Sequence, residues 1–269
     1  MTLTEAMKRE YADLFDRCDI RPERASEVNT LVDRIVAQKA RYAAAGTPLG
    51  IPWYFIGAVH SLESGLKLTG HLHNGDPLTA RTVQVPKGRP KDGNPPFTWE
   101  ESAADALKLQ KLDQWTDWSI PGLLFKLEAY NGFGYRRRLM PSPYLWSFSV
   151  HYDKGKFVAD GTFSLTAVSK QCGGGTLWRR MAERGIIQFS RAGMPLDGNT
   201  ASGPADLSAF KPLVTHSNSK ESDAARQLQI ALNRVPGIFL KVDGIPGDRT
   251  SEAFKKVTGH FLVGDPRAR

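Results

Sequence analysis

Residues 51–86, IPWYFIGAVHSLESGLKLTGHLHNGDPLTARTVQVP, restrict the fold more than any other part of the chain, because an apolar helical pattern stops at a carboxylate and gives way to a long polar segment. Phe55, Ile56, Val59 and Leu62 keep the spacing of one helix face, Pro52 suits a first helical turn, and Ser64-Gly65 suits a helix end. Glu63 therefore falls at the C-terminus of a helix whose preceding turns are hydrophobic. The helix dipole and poor solvation both disfavour a negative charge there and raise the carboxyl pKa toward the range a general acid needs. A glutamate at a helix end is ordinarily just solvated, so its reading depends on the surrounding segments.

Upstream, Ala6, Tyr11, Leu14 and Phe15, then Val28, Leu31, Val32 and Ile35, predict two helices within residues 4–45, with Arg21-Pro22 between them. Downstream, residues 69–94 are rich in Gly, Pro, Asn and Asp and hold one alternating piece, Thr82–Val85, which predicts an irregular arm with a hairpin. Loops of that length inside a compact domain are usually functional. Thr98 and Glu101 form a capping box opening the next helix, and a further helix runs from Ile120 to Tyr130. The alternation of Tyr144, Trp146 and Phe148 predicts an extended segment, and helices are expected over 162–171 and 174–184. The fold class expected is mainly α (α+β), with a small β or irregular arm.

A formal charge of +8 from 36 basic and 28 acidic residues favours a polyanionic partner, either nucleic acid or an anionic cell envelope. The only tight basic run, residues 136–138, reads as a solvated face, and charge is the sole argument for nucleic acid, so none is expected as a partner. Two distant cysteines, Cys18 and Cys172, make neither a disulfide framework nor a Cys-based metal site. His60, His71 and His73 have no evident third ligand and no H-E-x-x-H pattern, so no metal and no cofactor are expected. No apolar run reaches the ~20 residues of a membrane span, and the first residues show no signal-peptide h-region. The expectation is synthesis in the cytoplasm, no membrane insertion and a monomer.

Three regions follow: a large domain over 1–189, a linker over 190–219 rich in Gly, Pro, Ser and Asn, and a small module over 220–269. In the module, DAARQLQIALN followed by VDGIPGDRTSEAFKK resembles the small peptidoglycan-binding domain of bacterial and phage wall hydrolases, a three-helix unit, with Val242, Asp243, Gly244, Gly247 and Thr250 on its V-D-G-x-x-G-x-x-T pattern. Thr250 is expected to cap the last helix. The first domain is similar to phage and bacterial lysozyme-family proteins with a lytic transglycosylase or goose-type lysozyme core, on Glu63-Ser64, Tyr130-Asn131-Gly132 and the segments GHLHNGDPLTARTVQVPKGRP and SPYLWSFSVHYDKGKFVADG.

That resemblance implies a peptidoglycan hydrolase of the endolysin type. It would cleave glycan strands between N-acetylmuramic acid and N-acetylglucosamine and act on the wall after release from the cell. Glu63 is then the general acid. Asp76 is the candidate second carboxylate, with Thr82 beside it to hold a water in the inverting arrangement; the same Asp76 in Asn-Gly-Asp-Pro is also good turn chemistry. His73, Asn74, Tyr130, Asn131, Tyr144 and Trp146 are the candidate substrate-binding residues, and Asp243, Gly244, Gly247 and Thr250 the candidate wall-binding ones. Two alternatives stay open: a lytic transglycosylase giving anhydro-muropeptides, and a non-catalytic wall-binding or virion structural protein with the same fold.

Overall fold

The computed structural model describes residues 1–159, 161–189, 214–233, 235 and 237–268, so the expected linker lies from residue 190 to 213 outside the described residues. The chain divides into two compact units, Met1–Arg180 and Met181–Arg269. In chain order the elements are α1 (Glu5–Asp16), α2 (Ala25–Ala37), α3 (Lys39–Gly46), α4 (Trp53–Ser64), α5 (Trp99–Leu109), α6 (Ile120–Tyr130), the short α7 (Gly134–Arg137) and α8 (Pro143–Trp146), the hairpin β1 (Lys156–Ala159) and β2 (Thr162–Ser164), then α9 (Gly174–Glu183), α10 (Asp223–Asn233) and α11 (Asp248–Thr258). The described chain is mainly helical, with one two-stranded sheet. No helix among the described residues is long and apolar enough to cross a membrane.

α4 carries no charged residue before Glu63, and it buries Phe55 through His60 together with Leu62, which is the behaviour of a helix apolar nearly all round. Close approach of its neighbours depends on missing side chains. A Cβ on Gly57 would sit 2.4 Å from Ile35 Cγ2 and 3.3 Å from Tyr42 Cε2, so α2 and α3 press directly on the α4 backbone. A Cβ on Gly174, at the start of α9, would meet Leu127 of α6 at 2.3 Å and Ala58 of α4 at 3.4 Å. Phe55 meets Trp118 edge-on and stacks against Trp178, whose Nε1 donates to the Tyr54 carbonyl at 2.9 Å. Gly65, at φ +60°, ends the helix and returns its N–H to the His60 carbonyl.

A second anchor fixes α6. The Tyr11 hydroxyl donates to the buried Glu128, which also accepts from Arg136 Nε at 3.0 Å, and Arg136 reaches on to Glu10 at 2.9 Å. Buried Arg179 donates to the Phe15 and Asp16 carbonyls at 3.2 and 3.0 Å, which satisfies the open C-terminus of α1. Together these contacts set where α6 ends and hence where Tyr130 stands.

Several expectations are corrected. Residues 25–46 form two helices broken at Gln38, which makes three helices before α4 where the periodicity suggests two. Residues 143–146 are a single helical turn opened by Pro143, and not an extended segment; it buries Leu145 and Trp146 on the core side. Residues 162–171 hold β2 and irregular chain in place of a helix, because Phe157 and Phe163 pair across the hairpin and both rings pack against Tyr135. Thr82–Val85 is not a strand, since the amides of Val83 and Gln84 are taken by the Asp76 carboxylate and have none left for a sheet partner. The capping box at Thr98 and Glu101 forms as expected.

Replacing Gly57 by Leu should force α2 and α3 away from α4 and cost roughly 1–3 kcal/mol. A lower urea midpoint at unchanged slope would display it; a variant as stable as the parent would contradict the packing described.

Candidate active site

Glu63 sits in the last turn of α4, half-buried, with Leu62 buried behind it. The Tyr144 hydroxyl, from α8, donates to Glu63 Oε1 at 2.5 Å, and no other hydrogen bond or ion pair reaches the carboxyl among the described residues. Burial raises its pKa above the ordinary carboxylate value, and the Tyr144 bond, which favours the ionised form, only partly offsets this. Tyr130, at the end of α6, and Tyr144 have phenol pKa values pushed up by burial first and by the Glu63 charge second. The three side chains thus form one electrostatic group: a carboxyl with no cation beside it, ringed by two neutral phenols. Such a group holds a proton at higher pH than a solvated glutamate, and Oε2 is the oxygen left to deliver it.

A pocket of about 420 Å3 opens beside this group, lined by Tyr144 and by Leu62, the residue before Glu63; Asn131, Ser169 and Gln171 contribute polar atoms to its wall. Gln171 is fixed by donating Nε2 to the Leu62 carbonyl at 2.7 Å, which ties the pocket to the end of α4. Asn131 is the exposed C-cap of α6 and lines the pocket. Sequence reasoning misses Ser169, Gln171 and Lys156, which carry no local pattern that would mark them, and reads Arg137 only as part of a solvated basic run.

The polar arm is built differently from the expectation. Asp76 Oδ2 accepts from the Val83 and Gln84 amides at 2.8 and 3.0 Å and from the Asn74 side chain at 3.1 Å, while Asn74 Oδ1 accepts the Asp76 amide at 3.0 Å. Those amide bonds hold the Asp76 pKa below the usual carboxylate value, which makes it a weak base. The Thr82 hydroxyl donates to the Pro86 carbonyl at 2.5 Å and accepts from the Arg89 amide at 2.9 Å, so its only proton is committed within the arm. The arm's Gly70 and Gly75 approach so closely that a Cβ on Gly70 would lie 2.8 Å from the Gly75 carbonyl oxygen, and Gly75 itself lies against Ser64 of α4. Asn74, Asp76 and Thr82 therefore shape a turn next to the helix end that carries Glu63.

His73 and Trp146 are corrected as substrate contacts. The His73 side chain has no exposed surface, pairs with Asp105 at 2.7 Å and has its pKa lowered by burial, so it is a strut between the arm and α5. Trp146 is 1% exposed and meets His151 edge-on in the core. The other two histidines are also committed. His71 lies 2.8 Å from the Ala80 carbonyl and 2.7 Å from the Ser102 hydroxyl, and His60, pushed down to about 4 by burial, lies between Tyr42 and the Lys67 carbonyl.

In the second unit the residues marked by the tail motif hold the loop before α11. Gln229 of α10 donates to Asp243 Oδ1 at 2.9 Å and to Thr250 Oγ1 at 3.2 Å, and its own carbonyl accepts the Gly244 amide at 2.8 Å. Gly244 has φ +76°, which a side chain would strain. Gly247 occupies the N-cap of α11, where a Cβ would lie 2.8 Å from Asn218 Oδ1. Thr250 is buried in the first turn and does not cap it, a correction to the expected role. His216, Asp248 and Asp265 bring ligand-type atoms within 4.8 Å of one another, but Arg267 lies 2.8 Å from Asp265 and 3.9 Å from Asp248 and already supplies the positive charge.

No family model, curated protein or solved structure matches this chain.

Two outcomes follow from this geometry. Asp76→Ala should strip hydrogen-exchange protection from the Val83 and Gln84 amides while leaving α4 and α6 protected; unchanged protection would mean that the carboxylate does not organise the arm. For Glu63, the folded-state pKa is raised, so the ionised carboxyl weakens the fold as pH rises through that value, and below the unfolded pKa the penalty vanishes. Glu63→Gln should therefore melt higher than the parent at neutral pH, with the difference closing in acid. Equal melting temperatures across that range would contradict the buried, uncompensated carboxyl.

Proposed function

We propose that the chain cleaves the glycan strands of peptidoglycan, with Glu63 donating a proton to the leaving oxygen between N-acetylmuramic acid and N-acetylglucosamine. The observation that carries this reading is the Glu63 carboxyl itself: half-buried, without a countercharge among the described residues, and bonded only by the Tyr144 hydroxyl at the edge of a pocket. A group in that setting keeps its proton to higher pH than a solvated glutamate, and the Tyr144 bond strengthens as the proton leaves and the carboxylate forms. Tyr144 thus serves the acid directly, and Tyr130 keeps its surroundings dry.

The second half of the reaction must quench positive charge at the anomeric carbon. Asp76 is poorly suited to activate a water, because its Oδ2 is saturated by three donors and its pKa is depressed. This favours attack by the sugar's own primary hydroxyl: that oxygen bonds to the anomeric carbon, the glycosidic bond breaks, and the hydroxyl proton returns to the Glu63 carboxylate. One carboxyl then acts as acid and afterwards as base, no water is consumed, and the product is an anhydro-sugar. Hydrolysis by water with Asp76 as base is the alternative, and it gives reducing ends.

The likeness of residues 220–269 to a wall-binding domain supports a tethered arrangement, in which the tail raises the local concentration of substrate. The excess of positive charge favours approach to an anionic wall.

Digestion of purified peptidoglycan, with released fragments identified by mass spectrometry, tests the reading. The parent should release anhydro-muropeptides, and Glu63→Gln should lower release by about a thousandfold while still sedimenting with the wall. Reducing-end products would assign the second step to water. Full activity in Glu63→Gln would overturn the acid assignment, and no released sugar from either protein would identify a wall-binding protein without glycan cleavage.

A further inference from the structure

The pocket next to Glu63 has a charge that a neutral glycan does not explain. Its wall includes two charged residues, Arg137 at the end of α7 and Lys156 at the start of β1, and both are cationic. Neither makes an ion pair among the described residues. Arg137 donates once, to the Gly132 carbonyl at 3.1 Å, which leaves most of its guanidinium donors available. The neighbouring arginines have other employment: Arg136 is spent on Glu128 and Glu10, and Arg138 lies over the Phe163 ring at 4.5 Å. The three residues of the basic run therefore do three different things, and only Arg137 faces the pocket.

The framework that brings Arg137 to Lys156 is built closely. Gly134 lets α7 approach β1, since a Cβ there would lie 3.2 Å from the Phe157 ring, and the Phe157 amide donates to the Tyr135 hydroxyl at 3.1 Å. Both cations consequently line the same pocket as Tyr144, the hydrogen-bond partner of the acid. A pocket of this volume suits a sugar substituent, and its charge suits an anion that an arginine can grip through paired donors.

We propose that this pocket receives a carboxylate carried by the muramyl side of the cleaved bond, with Arg137 and Lys156 as its recognition residues. This inference rests on the glycan-cleaving reading and adds the feature that separates peptidoglycan from an uncharged aminosugar polymer such as chitin. Two sources offer the same chemistry: the lactyl carboxylate of a strand stripped of peptide, and the carboxylates of an attached peptide stem.

The test measures binding by calorimetry with the full chain carrying Glu63→Gln, so that substrate is not consumed. The probes are the peptide-bearing disaccharide, the stem-free disaccharide and the methyl ester of each. Esterification should weaken binding of the recognised probe by about tenfold or more. A preference seen only with the stem-free disaccharide assigns the lactyl group, and one seen only with the peptide-bearing form assigns the stem. Adding Arg137→Ala and Lys156→Ala should make acid and ester bind alike, whereas Arg137→Lys with Lys156→Arg should keep the preference and show that loss of charge, not of fold, is responsible. Equal binding of acid and ester in the starting protein, or a preference that survives the double alanine variant, overturns the proposal. Neither result bears on whether Glu63 is the acid, which the digestion decides.

Discussion

A carboxyl group at the end of a buried helix, without a cation to pair with among the described residues, is the constraint to which the rest of the first unit answers. α4 has room for no charge along its length because α2 and α3 press on it at Gly57 and α9 wedges in at Gly174. The chain turns at Gly65, and Glu63 in the last turn is the one charged residue of the helix. Glu63 emerges there, and what it meets is Tyr144. A salt bridge would have been the cheaper way to settle a half-buried carboxylate, but it would also have fixed the charge and removed the proton. The tyrosine gives the carboxyl a geometry without taking its acidity away.

The remaining elements hold that arrangement in position. Tyr11, Glu128 and Arg136 tie α6 to α1, the end of α6 holds Tyr130 within the field of the acid, and α8 delivers Tyr144 to it. The arm over residues 69–94 is held by its own polar side chains: Asp76 organises the turn, Thr82 ties Pro86 to Arg89, and His71 and His73 brace the arm against Ser102 and Asp105 of α5. Its dense polar chemistry is spent mostly on its own shape, which is why a segment that looks catalytic by composition contributes more to the form of the site than to its reactive groups.

How far the sequence could be read follows from the range of the interactions involved. α4, its Gly65 stop, the capping box of α5 and the extent of α6 are local matters of periodicity and capping, and they were legible. The position of Glu63 at the end of α4 is local in the same way, whereas its neighbours Tyr130 and Tyr144 come from α6 and α8. Tyr144 and Trp146 read alike in the sequence, as candidate sugar contacts: in a one-turn helix opened by Pro143 the two side chains point to different environments, one to the acid and one to the core. Asp76 illustrates a different limit. Its turn chemistry and its candidacy as a base were both visible, and only the placement of the Val83 and Gln84 amides decides how its oxygens are used. Lys156, Ser169 and Gln171 carry no sequence signal, and Arg137 stands in a basic run that reads as a solvated face; packing of α7 against the hairpin is what makes Arg137 and Lys156 neighbours.

The central claim is that Glu63 keeps its proton where a solvated glutamate has lost it, and a direct titration of that carboxyl tests it most closely. Carbon NMR of the full chain labelled at glutamate side chains, with the Glu63 signal assigned by its disappearance in Glu63→Gln, would follow the ionisation across the acid range. The account predicts a midpoint above the ordinary value of 4.5 for glutamate. A midpoint at or below that value would mean that water or a cation reaches the carboxyl after all, and that Glu63 is an ordinary helix end.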